Sequence, residues 1–174
     1  MRAIPGRARV WIAATLAAVT LLAIVEAREP VPIAGMRIDA AAERQIAAWA
    51  NQERATRGLP RLRHDAELVE TSRRWAFLLA EKGTIKHDPN LYRLTSRWSP
   101  WGENVGMHPQ LRPVHLGFMA SAGHRANILD RDYTVIGVGI VWESDHERFY
   151  IVERFGRPVP KPAPTPSPSC TCPR

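Results

Sequence analysis

Three residues of the sequence have the side-chain types that a divalent-metal site or a catalytic site needs: His87, Glu103 and His124. Imidazole nitrogens and carboxylate oxygens are common zinc ligands, and a carboxylate can also act as a general base. Their spacings are long, 16 residues and then 21, unlike the two histidines of an HExxH helix, which one helical turn holds together. The pattern allows either a metal or catalytic cleft or histidines in structural hydrogen-bond networks.

The six histidines differ in their sequence surroundings. His87 and His124 each come directly after a predicted helical segment and near a glycine, where a side chain can project into a shared cleft. The other four are expected to face solvent or to have structural roles, namely His64, His108, His115 and His146.

Two helices that would position these residues are predicted from their caps. Asp39 can cap a helix that runs to about Thr56, with Gly58 as a stop. Asp65 can cap a second helix that ends at Lys82-Gly83 and so leads toward His87.

The middle of the chain is predicted to be irregular, with short elements. Its composition indicates, in order, a loop between Asp88 and Pro100, a strand from Trp101 to Met107, a helix from Pro113 to Ser121 and an apolar turn from Ala126 to Leu129.

A hairpin is predicted after Tyr133. A β-branched run from Val135 to Trp142 and a second run from Phe149 to Phe155 flank a polar turn. Helices followed by a hairpin favour an α+β fold with a mainly antiparallel sheet. Buried apolar residues on both sheet faces favour a three-layer α-β-α sandwich.

The N-terminus has the layout of a signal peptide. Arg2, Arg7 and Arg9 precede an uncharged, mostly apolar run from Val10 to Val25, and Ala27 suits a cleavage site. An uncleaved N-terminal anchor is the alternative, although the run is slightly short for a spanning helix. Both interpretations place the remainder outside the cytoplasm, either secreted or in the cell envelope. The expected organisation is a signal peptide or anchor at 1–27, a lead-in at 28–38, one domain at 39–157 and a tail at 158–174.

The tail is proline-rich and holds both cysteines of the chain. PVPKPAPTPSP is typical of an extended polyproline II spacer. Cys170 and Cys172 leave the predicted domain without an internal disulfide. They could serve intermolecular pairing, thiol attachment or weak metal binding, or have no fixed role.

Charge gives a modest constraint on partners. The full chain has 24 Lys and Arg against 17 Asp and Glu, and without residues 1–27 the net charge is about +5. Such a chain could adhere to anionic wall polymers or lipid headgroups, and membrane contact otherwise depends on an uncleaved N-terminal segment. Nucleic acid is not an expected partner, because no basic stretch is interleaved with aromatic residues. The oligomeric state is left open.

A series of motifs gives the sequence a family resemblance. They are, in order, Asn51-Gln52-Glu53-Arg54 with Gly58-Leu59, then Leu68, Ala76 and His87, Gly102-Glu103-Asn104, SAGHRANIL at Ser121 to Leu129, Ile136-Gly137-Val138-Gly139 and Phe155-Gly156. Together they resemble the CAP superfamily, the SCP-like extracellular domain of cysteine-rich secretory, antigen 5 and pathogenesis-related proteins, in its bacterial branch. The resemblance covers about Asp39 to Gly156.

The resemblance implies an α-β-α sandwich with a large open cleft. His87, Glu103 and His124 match three of the family's four cleft residues, and the two histidines would hold zinc or another divalent cation. Asn104 and Asn127 would satisfy buried backbone groups beside the cleft, where Ser121 and Arg125 also belong to the matched motif.

Two positions depart from the family pattern. The family's second cleft glutamate has no counterpart, because no Asp or Glu lies between Glu103 and Asp130, and Ser121 is close to where it would be sought. Phe118 replaces a tryptophan that bacterial relatives usually carry. Glu103 could still activate a metal-bound water. For Ser121, helix capping is a plainer role than that of a nucleophile paired with His124.

Three functions remain open from the sequence. The first is an exported, non-enzymatic cleft-binding module for a divalent cation and for a lipid or cell-wall ligand. The second is a metal-dependent hydrolase of peptide or cell-wall bonds, with Glu103 as its catalytic residue. The third is a structural or adhesion domain displayed by the tail.

Overall fold

The first two helices begin and end close to where their caps predict. The computed structural model describes residues 34–160, apart from the side chains of residues 94–96 and Pro100. Helix α1 spans Ala40–Ala55, and Asp39 accepts a hydrogen bond from the N–H of Ala42. Helix α2 spans Ala66–Lys82 and ends at Gly83, whose φ of 61° is left-handed. Both helix predictions are confirmed.

A five-stranded, mainly antiparallel sheet forms the middle of the fold. The strands are β1 (Met36–Ile38), β2 (Arg63–His64), β3 (Trp98–His108), β4 (Val135–Glu143) and β5 (Arg148–Pro158). They run in the order β1-β4-β5-β3, and β2 pairs in parallel with one end of β4. The predicted β4–β5 hairpin is confirmed, and β3 lies at one edge of the sheet.

Helices cover both faces of the sheet. Helix α1 shares one face with α3 (Leu111–Ala120) and α4 (Ala122–Leu129), around Ile140 and Ile151. Helix α2 covers the other face, where it packs on Val105 and Val152. This arrangement is the α+β three-layer sandwich that the sequence predicts.

Two glycines in β4 allow helix α2 to approach the sheet closely. A Cβ atom at Gly137 would overlap the backbone of Leu68, and one at Gly139 would overlap the backbone of Arg73. The hydroxyl of Ser72 donates to the carbonyl of Gly137 at 3.1 Å between the two packed elements. Any side chain at either glycine would separate the two layers.

A buried arginine joins α1 to the loops on its side of the sheet. Arg54 is fully buried, and its Nη1 donates to the carbonyls of Ile128 at 2.9 Å and Asp130 at 2.7 Å. Its Nε donates to the carbonyl of Pro60 at 2.8 Å. Arg54 thereby fixes the end of α4, the helix that carries His124.

Three local predictions were wrong. The segment Ala126–Leu129 belongs to helix α4 rather than to a turn. Helix α4 is stabilised by tertiary contacts that the local sequence does not show, because Ile128 is completely buried. Part of the predicted lead-in forms β1, and the predicted loop after Asp88 contains a 3₁₀ helix at Leu91–Ser96.

The predicted signal peptide or anchor lies outside the described residues, as do Cys170 and Cys172. Within residues 34–160, every helix is too short or too polar to cross a membrane.

Candidate functional site

Glu103 is the best-defined polar residue of the site. It projects from β3, its side chain is 1% exposed, and its Oε2 accepts from Nε of Arg154 at 3.1 Å and Nη2 at 3.0 Å. Its Oε1 accepts the backbone N–H of Asp88 at 3.0 Å and lies 2.9 Å from Nδ1 of His87. A carboxylate has about four acceptor positions, and these four contacts occupy all of them.

His87 is anchored by this buried carboxylate. It follows α2 in the loop after Gly83, and its side chain is 64% exposed. When Nδ1–H donates to Glu103, the lone pair of the ring lies on Nε2. A carboxylate that orients an imidazole in this way is a common outer partner in metal sites. A neutral His87 that donates from Nδ1 presents Nε2, the nitrogen that a metal ligand needs.

His124 approaches from the opposite layer. It lies inside helix α4 rather than in the predicted break after a helix, and its ring packs on Phe118 with centroids 5.0 Å apart. Burial lowers the pKa of His124, and the electrostatic interaction with His87 adds to this shift. At neutral pH, His124 is therefore an uncharged imidazole that can act as a ligand.

Two asparagines connect the histidine-bearing segments. Nδ2 of Asn104 donates to the carbonyl of His124 at 3.2 Å and to Oε2 of Glu153 at 2.8 Å. Nδ2 of Asn127 donates to the carbonyl of Glu103 at 3.0 Å and to Oδ1 of Asn104 at 2.9 Å. The pair fixes α4 against the edge strand β3.

Glu153 is a buried acid that the sequence analysis missed. It is completely buried on β5, its Oε1 has no hydrogen-bond partner in the described structure, and burial raises its pKa to about 7. The sequence feature that could have indicated this buried acid is the adjacent charged pair Glu153-Arg154 inside a predicted apolar strand. The two side chains point to opposite faces, so Arg154 binds Glu103 while Glu153 binds Asn104.

Ser121 and Arg125 lie beside the site without joining its hydrogen-bond network. Ser121 occupies the N-cap position of α4, but its side chain makes no capping hydrogen bond. Within the described residues, no hydrogen bond links Ser121 to His124, so the geometry does not favour a nucleophilic serine. Nη1 of Arg125 donates to the carbonyl of Met119 at 2.8 Å and ties α4 to α3.

The two histidines line separate open cavities along β3. A cavity of about 470 Å³ is lined by His87, Glu103 and Asn127, together with Tyr92 and Trp101. Another of about 340 Å³ is lined by His124, Ser121 and Phe118, together with Ile85 and Met107. The two cavities border successive parts of β3, Trp101 to Glu103 in the first and Gly106 to His108 in the second.

His87 and His124 each line one of the two cavities along β3. No cluster of three or more His, Cys, Asp or Glu residues within 34–160 is arranged to hold a metal ion. Both carboxylate oxygens of Glu103 are engaged, Oε2 by Arg154 and Oε1 by His87 and the N–H of Asp88. Water or ligand oxygens would have to complete a zinc coordination shell.

Comparison with known families agrees with the fold. The family model described as CAP, the cysteine-rich secretory protein family, matches residues 48–155. The match covers more than half of the chain, and the chain belongs to this family. The resemblance inferred from the motifs is confirmed. A comparison with curated proteins gave no match.

Solved structures of several origins share the fold. An outer surface protein of Borrelia burgdorferi is similar with a TM-score of 0.64 and 17% identity, over 71% of this chain and 98% of its own. An extracellular SCP-domain protein of Bacillus anthracis has a TM-score of 0.58 and 26% identity, over 67% of this chain and 40% of its own. Venom allergen-like protein 4 of Schistosoma mansoni has a TM-score of 0.55 and 12% identity, over 70% and 92%. This chain is therefore a CAP-domain protein with extracellular homologues.

Proposed function

We propose that the protein is an exported, non-enzymatic binding module that holds a divalent cation between His87 and His124. The cation, with its open coordination positions, would bind an oxygen atom of a lipid or cell-wall ligand lying along β3. Export is supported by the signal-like segment at 1–27 and by relatives described as outer surface and extracellular proteins.

The observation that carries the proposal is the 2.9 Å contact between Nδ1 of His87 and Glu103. A buried carboxylate already neutralised by Arg154 has little need of an exposed histidine for its own stability. The contact instead fixes the ring and leaves Nε2 available. The lowered pKa of His124 supports the same role, because it favours the uncharged ring.

The same geometry favours binding over hydrolysis. A general base needs a free lone pair within reach of the proton that it removes, and the carboxylate oxygens of Glu103 already accept four hydrogen bonds. Glu153, a second acid near the site, is completely buried. A hydrolase would have to release Glu103 from one of its partners.

Two exposed apolar residues suit a ligand with an apolar part. Tyr92 is 58% exposed at the cavity beside His87, and Ile85 is 45% exposed at the cavity beside His124. An acyl chain or an apolar side chain could contact either residue while an oxygen atom reaches the cation.

Calorimetric titration with zinc tests the proposal. The background would carry Cys170→Ser and Cys172→Ser, so that the tail thiols cannot contribute. We expect one zinc ion per chain, and loss of binding in the double variant His87→Ala with His124→Ala. The matched control, His64→Ala with His146→Ala, removes two exposed histidines elsewhere and should keep binding. Equal binding by both double variants, or no binding by the parent, would contradict the proposal.

A further inference from the structure

A larger cavity lies away from the two histidines. It has a volume of about 510 Å³ and lies between α1, β2 and β4. Its apolar wall includes Leu62, Ile136 and Val138, and two arginines, Arg44 and Arg61, also line it. A mostly apolar pocket with a few polar groups is the usual form of a ligand site.

The sheet edge beside this cavity is only partly covered. Strand β1 pairs with Val141 and the residues that follow it, whereas β2 pairs with Val135 and Ile136. Within residues 34–160, neither strand is in register with Val138. A gap in the strand pairing therefore lies at the cavity.

The direction of the backbone in this gap follows from its neighbours. The N–H of Asp65 donates to the carbonyl of Ile136, and the N–H of Asp39 donates to the carbonyl of Ile140, each at 3.0 Å. Main-chain groups two residues apart in a strand point to the same edge. The N–H and C=O of Val138 therefore point toward the gap.

The charge at the cavity is positive. The one carboxylate that lines it, Glu43, is bound by Arg73 at 2.8 Å and 2.6 Å and accepts the N–H of Ile140 at 3.3 Å. Arg44 and Arg61 are exposed, and neither forms an ion pair with a described residue. Two guanidinium groups without a carboxylate partner favour an anion, and a carboxylate can accept a two-point contact from either.

We propose that this cavity binds the C-terminal end of a short peptide. The terminal carboxylate would contact Arg44 and Arg61, and the last peptide group would pair with the backbone of Val138. A small apolar C-terminal side chain would lie against Leu62 and Ile136. Main-chain pairing at a sheet edge and capture of a terminal carboxylate are both established modes of peptide recognition.

The test uses N-acetyl-Ala-Val as a free acid and as its C-terminal amide, titrated into the full chain. The acid should bind about tenfold more tightly than the amide, because only the acid has a carboxylate for the arginines. The double variant Arg44→Gln with Arg61→Gln should remove that difference. Arg63→Gln with Arg131→Gln is the control, since both residues are exposed and neither lines the cavity. Circular dichroism would verify that each variant folds.

Several results would overturn the assignment. Equal affinity for acid and amide would exclude carboxylate recognition. Loss of this affinity difference in the control variant would show that it arises from general surface charge and not from Arg44 and Arg61. Undetectable binding at millimolar peptide would exclude the site. Octanoate bound as tightly as the dipeptide acid would exclude pairing with Val138. The variant His87→Ala with His124→Ala should bind the peptide normally, so this proposal and the proposed function fail independently.

Discussion

Nδ1 of His87 lies 2.9 Å from Oε1 of Glu103, a contact between a largely exposed imidazole and a buried carboxylate. Glu103 is in turn fixed by Arg154 on the neighbouring strand. The rigid part of the site is therefore in the sheet, and the part that faces solvent is the histidine. A solvent-facing histidine that is held by a rigid, buried carboxylate suits a site that must present a ring nitrogen to a cation.

Replacing Glu103 by glutamine should weaken zinc binding by about 10- to 100-fold, the usual effect of removing an outer-shell carboxylate. When the amide oxygen accepts from Arg154, the amide NH2 group faces His87, so it can no longer accept the Nδ1–H and would favour the tautomer that is protonated at Nε2. Calorimetry would measure the effect. Glu70→Gln is the control, because that side chain is 63% exposed on α2. Unchanged zinc affinity in the Glu103 variant would show that the contact does not orient a ligand.

Glu153 should make folding stability depend on pH. Burial raises its pKa from 4.5 to about 7, although the hydrogen bond from Asn104 opposes the shift. The folded protein therefore keeps this proton to a higher pH than the unfolded chain does. The associated stability is fully present below about pH 4.5 and is lost as the pH rises through about 7, a change of about 3 kcal/mol.

Urea unfolding between pH 4 and pH 8, compared with the Glu153→Gln variant, would isolate this contribution. Glutamine keeps an acceptor for Asn104 but has no proton to lose in this range. The variant should lack the decline in unfolding free energy between about pH 4.5 and about pH 7. Parallel curves for the two proteins would show that Glu153 does not titrate in this way.

Replacing Gly139 by alanine should destabilise the fold by about 3 kcal/mol or more, because the new Cβ would overlap the backbone of α2 at Arg73. Gly123→Ala is the matched control in α4, where a Cβ would meet no atom within 4 Å. The control should be neutral or more stable by up to about 1 kcal/mol. Thermal unfolding would rank the two variants, and similar melting temperatures would refute the close packing of α2.

Replacing His115 by leucine should stabilise the protein by about 1 kcal/mol. His115 is completely buried, neither ring nitrogen has a hydrogen-bond partner in the described structure, and burial lowers its pKa. Its Nε2 is 3.8 Å from Oε1 of Glu53, too far for a hydrogen bond. Leucine would remove the cost of two unpaired polar atoms. A lower unfolding free energy for the variant would contradict this assessment.

Local sequence signals predicted the main helices and the hairpin well. Asp39, Asp65 and Gly83 act through contacts within a few residues, so their effect can be recognised in the sequence. Helix α4 was missed because tertiary contacts support it: Ile128 is buried, and Arg125 bonds to α3. Strands of two or three residues, such as β2, have too few side chains to show an alternation.

The residues of the candidate site could be predicted from the sequence, but their long-range contacts could not. The resemblance identified His87, Glu103 and His124, but it could not show that Arg154 and the N–H of Asp88 donate hydrogen bonds to the carboxylate of Glu103. That arrangement depends on the pairing of Glu103 with Arg154 across two strands, 51 residues apart in the chain. Glu153 was missed because its burial depends on the same pairing.

The central claim is that His87 and His124 together bind a divalent cation. The most direct measurement is a nitrogen-15 NMR spectrum of the six imidazole rings during titration with zinc. We expect the ring signals of His87 and His124 to change together up to one equivalent, with Nε2 as the bound nitrogen of His87, while the other four histidines are unaffected. Changes confined to other histidines, or no change at one equivalent, would contradict it.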